Sequence, residues 1–245
     1  MSATEGAQSA SERYIQLAGT LGCVALWITL SSGVILYNKW VLAFSGFPYP
    51  LALTLFHMGF CSSLAFILVR LLKVVEPINM SSHTYMTSVV PIGVLFSATL
   101  CMSNAAYLFL SVSFIQMLKA TIPVATFLIG CIARLETFKW LSLINVVVIS
   151  VGVMIASYGE LNFNVVGVAL QMASVVIEAV RLIMVQILLQ SKGLKMNPIT
   201  SLYYISPVCF VCIILPYAML ELPKMMNDAT WNWSWFIMLS NAGTA

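Results

Sequence analysis

A full charge in the middle of an apolar membrane segment costs about 2.5–3.5 kcal/mol on insertion scales, so it persists where it is paired, wetted or used. Two places in this chain meet that description. Lys119 is the only Asp, Glu, Lys or Arg between His83 and Arg134 and has no acid within four residues. It either snorkels to an interface or stands in a polar cavity, where its compact charge suits a phosphate-like anion. Glu178 and Arg181 are three residues apart, hence on one helix face. They read as an ion pair that orients their helix, or as a carboxylate holding Arg181 ready as a second anion contact. Other polar residues have quieter readings beside the sharp ones. Lys39 follows Asn38 at a span end and either snorkels or contacts the site. Tyr203 and Tyr204 either stack on a base or sugar, or pack. Asn104 and Asn241 either bridge helices or touch substrate, and His57 reads as a hydrogen-bonded packing residue. Cys209 and Cys212, at helical spacing, read as two small apolar side chains rather than a metal or redox pair.

The elements that position these residues follow from composition. Of 245 residues, 61% are apolar and 8% charged, against about 25% charged in soluble domains. Spans of about 20 residues with short loops allow about eight or nine. A soluble enzyme, a nucleic-acid binder and a disordered chain are excluded. Charge-poor runs place spans between Arg13 and Lys39, from Pro50 to Arg70, two between His83 and Arg134 with a turn at Ser111-Val112-Ser113, from Lys139 to Tyr158, from Val165 to Gln190, from Pro198 to Leu220, and from Trp231 onward. The runs are too continuous for the alternation of a membrane β-barrel. The fold class is all-α and polytopic.

Basic residues set the orientation. With a cytosolic N-terminus, the inner segments hold Arg13, Arg70, Lys73, Arg134, Lys139, Lys192 and Lys195, whereas the outer loops hold Lys39 and Lys224. Residues 1–14 read as a cytosolic tail, polar and with Glu5 and Glu12, unlike a cleavable signal or an Arg-rich transit peptide. The six cysteines all fall within spans, which argues against a disulfide framework.

An internal repeat is visible. Gly46-Phe47-Pro48-Tyr49-Pro50 matches Gly193-Leu194-Lys195-Met196-Asn197-Pro198, and Ser103-Asn104-Ala105-Ala106 matches Ser240-Asn241-Ala242-Gly243. The expected organisation is a five-helix repeat over 15–158 and an inverted, incomplete second copy over 165–245. By that reading, about eight of ten helices are present and the last is cut short.

These residues, with Tyr37-Asn38-Lys39, the run from Ser111 to Ala120, Glu178-Ala179-Val180-Arg181-Leu182 and the run from Asn197 to Tyr204, are jointly similar to the triose-phosphate/nucleotide-sugar translocator family of the drug/metabolite transporter superfamily. Within it the chain most resembles plant sugar-phosphate/phosphate translocators. The resemblance covers the chain from about residue 20. It implies ten helices in two inverted halves around a site open alternately to each side. It also implies exchange of a phosphorylated or nucleotide-linked sugar for a phosphate-bearing counter-substrate in a lipid bilayer, without cofactor, metal or nucleic acid; no oligomer is implied. Gln116 and Ile122 stand where plastid members have His and Glu around the fourth-span Lys. Gln116 thereby joins Lys119 as an implied substrate contact, and the departure counts against a plastid triose-phosphate role. Leu202-Tyr203-Tyr204-Ile205 lacks the asparagines of the GDP-mannose branch, which counts against guanine recognition. A Golgi or endoplasmic reticulum carrier is the expectation. The alternative is a cation-coupled exporter of the same superfamily, whose site would centre on a carboxylate. A seven-span receptor and a membrane enzyme find no support, because no outer cysteine pair, catalytic polar cluster or metal-spaced set is present.

Overall fold

A computed structural model describes residues 2–78, 80–135, 140–158, 163–192, 197–228, 231 and 234–244, with side chains from residue 14 on except 156–157 and 189–192. Among these residues the regular structure is helical throughout. The helices are α1 (Ser2–Phe44), α2 (Pro50–Phe66), α3 (Ser82–Thr84), α4 (Val90–Ala106), α5 (Val112–Lys119), α6 (Ile122–Ile132), α7 (Trp140–Tyr158), α8 (Val165–Lys192), α9 (Pro198–Leu220), α10 (Leu222–Asn227) and α11 (Trp235–Thr244). Six described stretches are long and apolar enough to cross a membrane: Tyr14–Phe44, Pro50–Leu71, Ser82–Ala106, Val112–Ile132, Val165–Leu188 and Pro198–Leu220. The chain is a polytopic all-α membrane protein. The expected fifth span is α7, a helix of 19 residues over Trp140–Tyr158 whose fully described apolar part is Trp140–Ile155; Lys139, Gly159 to Asn162 and Lys195 lie outside the described residues. The expected eighth span starts at Trp235 rather than near Trp231 and runs ten residues. Its start is set by Ser234, whose hydroxyl and carbonyl accept from the Ile237 and Met238 amides.

The helix starts are local chemistry. Proline, with no N–H to lose, stands in the first turn of α2, α4, α6 and α9. Ser111 caps α5 by accepting from the Phe114 amide at 3.2 Å. Asn164 caps α8 through the Val166 and Gly167 amides at 2.9 and 3.2 Å. Two π-helical turns, Ile67–Leu71 and Tyr85–Val89, continue α2 and precede α4. The second lies just before Pro91, which denies the Thr87 carbonyl its helical donor.

The chain divides into two compact units, residues 1–48 with 228–245, and residues 49–227. In the first, Tyr37 on α1 bonds Ser240 on α11, oxygen to oxygen at 2.6 Å, and the Phe47 ring meets Trp231 edge-on at 6.0 Å. In the second, α4 packs along α8, and α2 along α9. Where α4 meets α9 the backbones come close: a Cβ on Gly93 would stand 2.7 Å from the Val208 side chain. Gly93 also leaves its carbonyl open to the Cys209 thiol, which donates at 3.3 Å. Cys209 is buried, and among the described residues no group of three His, Cys, Asp or Glu could hold a metal.

Candidate functional site: charged residues between α5, α8 and α4

Lys119 does not stand inside a continuous helix. Pro123 lies four residues on, so the Lys119 carbonyl has no N–H to receive. The chain tightens there: the Thr121 amide reaches back to Leu118 O at 3.0 Å and the Thr121 hydroxyl to the same carbonyl at 2.6 Å. Then α6 restarts at Ile122. The break puts Lys119 in the last turn of α5, the negative end of that helix, where a cation is favoured. Phe114, Ile115 and Leu118 bury the other face of α5 against Ala106 and Leu110. Gln116 and Lys119, three apart, meet Tyr107 on the turn before α5. Gln116 Nε2 donates to the Tyr107 hydroxyl at 3.1 Å, and Lys119 Nζ lies 5.9 Å from the Tyr107 ring centroid. No carboxylate among the described residues lies in ion-pair range of Lys119, which is half-buried.

Arg181 is held differently. Its Nε donates to Glu178 Oε2 at 2.9 Å and its Nη2 to Oε1, a two-point pairing along α8. The guanidinium also stacks over Phe96 of α4, 4.7 Å from the ring centroid. Both side chains are about five-sixths buried, at 17% and 16% exposure. Gly167, at the start of α8, packs on Phe109 and Leu110 of the turn before α5, so depth can be counted from one level. At 1.5 Å per residue Lys119 lies roughly 10 Å in and Glu178 roughly 17 Å in. The Glu178 charge still acts on Lys119.

The same face of α8 continues away from Arg181 as Ser174 and Gln171, spaced at three and four residues. Ser174 Oγ donates to the Thr99 carbonyl at 3.2 Å and Ser103 Oγ to Gln171 Oε1 at 3.1 Å. Gln171 is 1% exposed, and its Nε2 has no partner among the described residues. This polar ladder between α4 and α8 was not anticipated, although its helical spacing is readable. Asn104, one residue past Ser103, turns to α2 instead and donates to the Thr54 hydroxyl.

Tyr203 and Tyr204 form a second cluster. With Ser62, Phe66, Tyr85 and Pro207 they line a cavity of about 310 Å³. Their rings meet edge to face at 4.9 Å, and Tyr85 meets Tyr204 at 6.1 Å. Tyr204 donates to the Ile78 carbonyl at 2.9 Å and Tyr85 to the Tyr204 carbonyl at 3.2 Å. Arg70, expected only as a loop charge, donates from Nε to the Tyr203 hydroxyl at 3.0 Å. Among the described residues no hydrogen bond, ion pair or ring contact joins Tyr203 or Tyr204 to Lys119, Glu178 or Arg181. Lys39 on α1 and Asn241 on α11 belong to the first unit; Lys39 is half-buried and Asn241 buried.

The sequence profile of the Triose-phosphate Transporter family matches residues 18–241. Three Arabidopsis thaliana proteins, each described as a probable sugar phosphate/phosphate translocator, are 49%, 50% and 48% identical to this chain over 221 residues. Each match covers 89% of this chain and 63% of the relative, so the chain spans somewhat under two thirds of the length of these relatives. The chain belongs to the triose-phosphate transporter family.

Proposed function

We propose that this protein carries out secondary antiport, exchanging a sugar phosphate or nucleotide sugar for a phosphate-bearing counter-substrate, with Lys119 as the primary anion anchor. The observation that carries this reading is the placement of Lys119: an ammonium at a proline-made helix break, above an aromatic ring, with no carboxylate in pairing range. Broken helices that present charge inside a membrane are a recurrent way to build substrate sites. The names of the relatives favour a sugar phosphate as the cargo. Gln116 orients the Tyr107 hydroxyl beside the anchor, and Arg181 is a reserve cation that an incoming phosphate shares with Glu178. The tyrosine cavity is offered as the shelf for the sugar or base.

The same placement supplies a reason for strict exchange. Closing a cavity around a bare ammonium leaves a buried, uncompensated charge, which is strongly unfavourable. Closing it around a phosphate does not. The loaded carrier therefore crosses and the empty one stalls, without a coupling ion, because only a ligand with differential affinity for the two states shifts their balance. The basic bias of the loops favours a cytosolic N-terminus, and Gln116 and Ile122, where plastid members of the family have His and Glu, favour an internal membrane of the secretory pathway.

The test is counter-exchange in liposomes loaded with inorganic phosphate and supplied with labelled sugar phosphates or nucleotide sugars. Lys119→Ala is expected to lose exchange. Uptake by that variant at the parental rate and affinity would make Lys119 a snorkelling residue and end this reading.

A further inference from the structure

The first amides of a helix have no partners within it, and α2 begins at Tyr49 and Pro50 without a side-chain cap of its own. Its acceptor comes from the far end of α9. Glu221, directly after α9, is 7% exposed, and its two carboxylate oxygens accept from the Leu51 and Ala52 amides, each at 2.8 Å. The carboxylate also meets the positive end of the α2 dipole. At the opposite end of the same helix pair the contact is of another kind: the π-helical turn after α2 carries Arg70, bonded to the Tyr203 hydroxyl and 5.9 Å from its ring centroid. Between the two, Gly59 lets the Phe210 ring lie against α2; a Cβ there would stand 3.1 Å from it. As the α2 number rises from 51 to 59 to 70, its α9 partner falls from 221 to 210 to 203, the register of antiparallel helices alongside each other over their whole length. Pro50–Leu71 is 22 residues, about 33 Å of helix, so the two polar contacts lie at opposite faces of a hydrocarbon core about 30 Å thick.

Both contacts are releasable. Burial pushes the Glu221 carboxyl above its ordinary range although both amides and Lys224 pull it down, so the ionised group gains by returning to water. Arg70 is exposed, and its contact is to a neutral hydroxyl rather than a carboxylate.

We propose that α2 and α9 form a gate with one latch at each membrane face, Glu221 on the α2 amides at one and Arg70 on Tyr203 at the other, pivoting at the Gly59–Phe210 contact. Release of one latch parts the helices at that face and, through the pivot, presses the other latch more tightly closed. The purpose of the gate rests on the antiport reading; the latches themselves do not.

Amide hydrogen exchange on the purified protein in lipid nanodiscs tests this, because exchange reads local opening directly. In Glu221→Ala the Leu51 and Ala52 amides are expected to exchange about tenfold faster. The Leu72 and Val74 amides, which donate to Ile67 O and Leu68 O beside Arg70 at 2.8 and 3.0 Å, are expected to slow by about two- to fivefold. Tyr203→Phe keeps the ring and its packing, and gives the mirror image: faster exchange at Leu72 and Val74, slower at Leu51 and Ala52. That variant keeps the test intact if Glu221→Ala fails to fold. Loosening of both ends together, or a change at one end with none at the other, would overturn the gate and leave two static caps. If the reciprocal pattern holds while phosphate counter-exchange in liposomes is absent, the gate stands and the antiport reading falls; the converse result spares antiport and rejects the gate.

Discussion

Lys119 and Arg181 are two cations within one membrane unit, and they are kept in opposite ways. Arg181 has its counter-charge on its own helix, a two-point pairing with Glu178, and an aromatic lid in Phe96. Lys119 has a ring, a helix C-terminus and the distant field of Glu178, with no carboxylate in pairing range. A charge that is compensated internally belongs to the fold. A charge left open to an outside anion belongs to the function. Stability should therefore depend mainly on Arg181, and phosphate affinity mainly on Lys119 with Arg181 as its lesser helper.

The largest expected effect is on the Arg181 side. Glu178→Ala strands a buried guanidinium, and removal of one partner of such a pair costs about 3–5 kcal/mol. A thermal or denaturant unfolding series in micelles should show it, and the double variant Glu178→Ala with Arg181→Met should recover most of the loss. A fully stable single variant would mean that Arg181 is already wetted, and the contrast would collapse. Next comes Pro123→Ala, which returns a donor to the Lys119 carbonyl. It is expected to straighten the junction of α5 and α6 and weaken phosphate binding roughly tenfold, about 1.4 kcal/mol, at unchanged or slightly higher stability. Calorimetric titration with inorganic phosphate checks it. A smaller effect is expected at Gln171. Gln171→Leu removes a buried amide with an unpartnered Nε2, along with the bond from Ser103, so stability should move by less than about 1 kcal/mol in either direction. A large loss would place the α4–α8 polar ladder among the fold's main supports.

The smallest effect concerns a carboxylate held by dipoles instead of a cation. Glu221 sits above its ordinary range because of burial, with Lys224 and Cys101 within its electrostatic reach. A group raised in the folded state contributes stability that is present below its unfolded value, about 4.3, and is lost as pH rises through the folded value. The parent protein should therefore lose stability relative to Glu221→Gln as pH rises above the unfolded value of about 4.3. A difference that stays flat with pH would show that the amides fully compensate the charge.

Much of this arrangement was legible in the sequence, and the reasons are local. Long charge-poor runs without the alternation of a barrel become helices, because the helix is then the one element left that satisfies its backbone in lipid. Lys119 stood out as a lone charge, and Glu178 with Arg181 as an i,i+3 pair. The break after Lys119 was also readable, in the four-residue spacing to Pro123, because a proline always unpairs the carbonyl four residues back. The stripe of Gln171, Ser174, Glu178 and Arg181 follows the helical period and could have been traced from the ion pair. What could not be read is contact at long range. Glu221 looks like an ordinary acid at a span end, since its partners are backbone amides 170 and 169 positions away. Arg70 looks like a loop charge, since Tyr203 is 133 residues distant. The late start of α11 depended on Ser234, a cap beside residues whose own signals pointed to Trp231.

The most direct measurement of the central claim is equilibrium binding of inorganic phosphate to purified Lys119→Met and Arg181→Met, each with its unfolding curve. Lys119→Met is expected to lose about 2–4 kcal/mol of binding and to unfold as the parent does. Arg181→Met is expected to lose more stability than affinity, because it leaves the Glu178 carboxylate buried and unpaired. Equal phosphate affinity in the parent and Lys119→Met, with the stability loss falling on Lys119 instead, would contradict the assignment of the anion site to the end of α5.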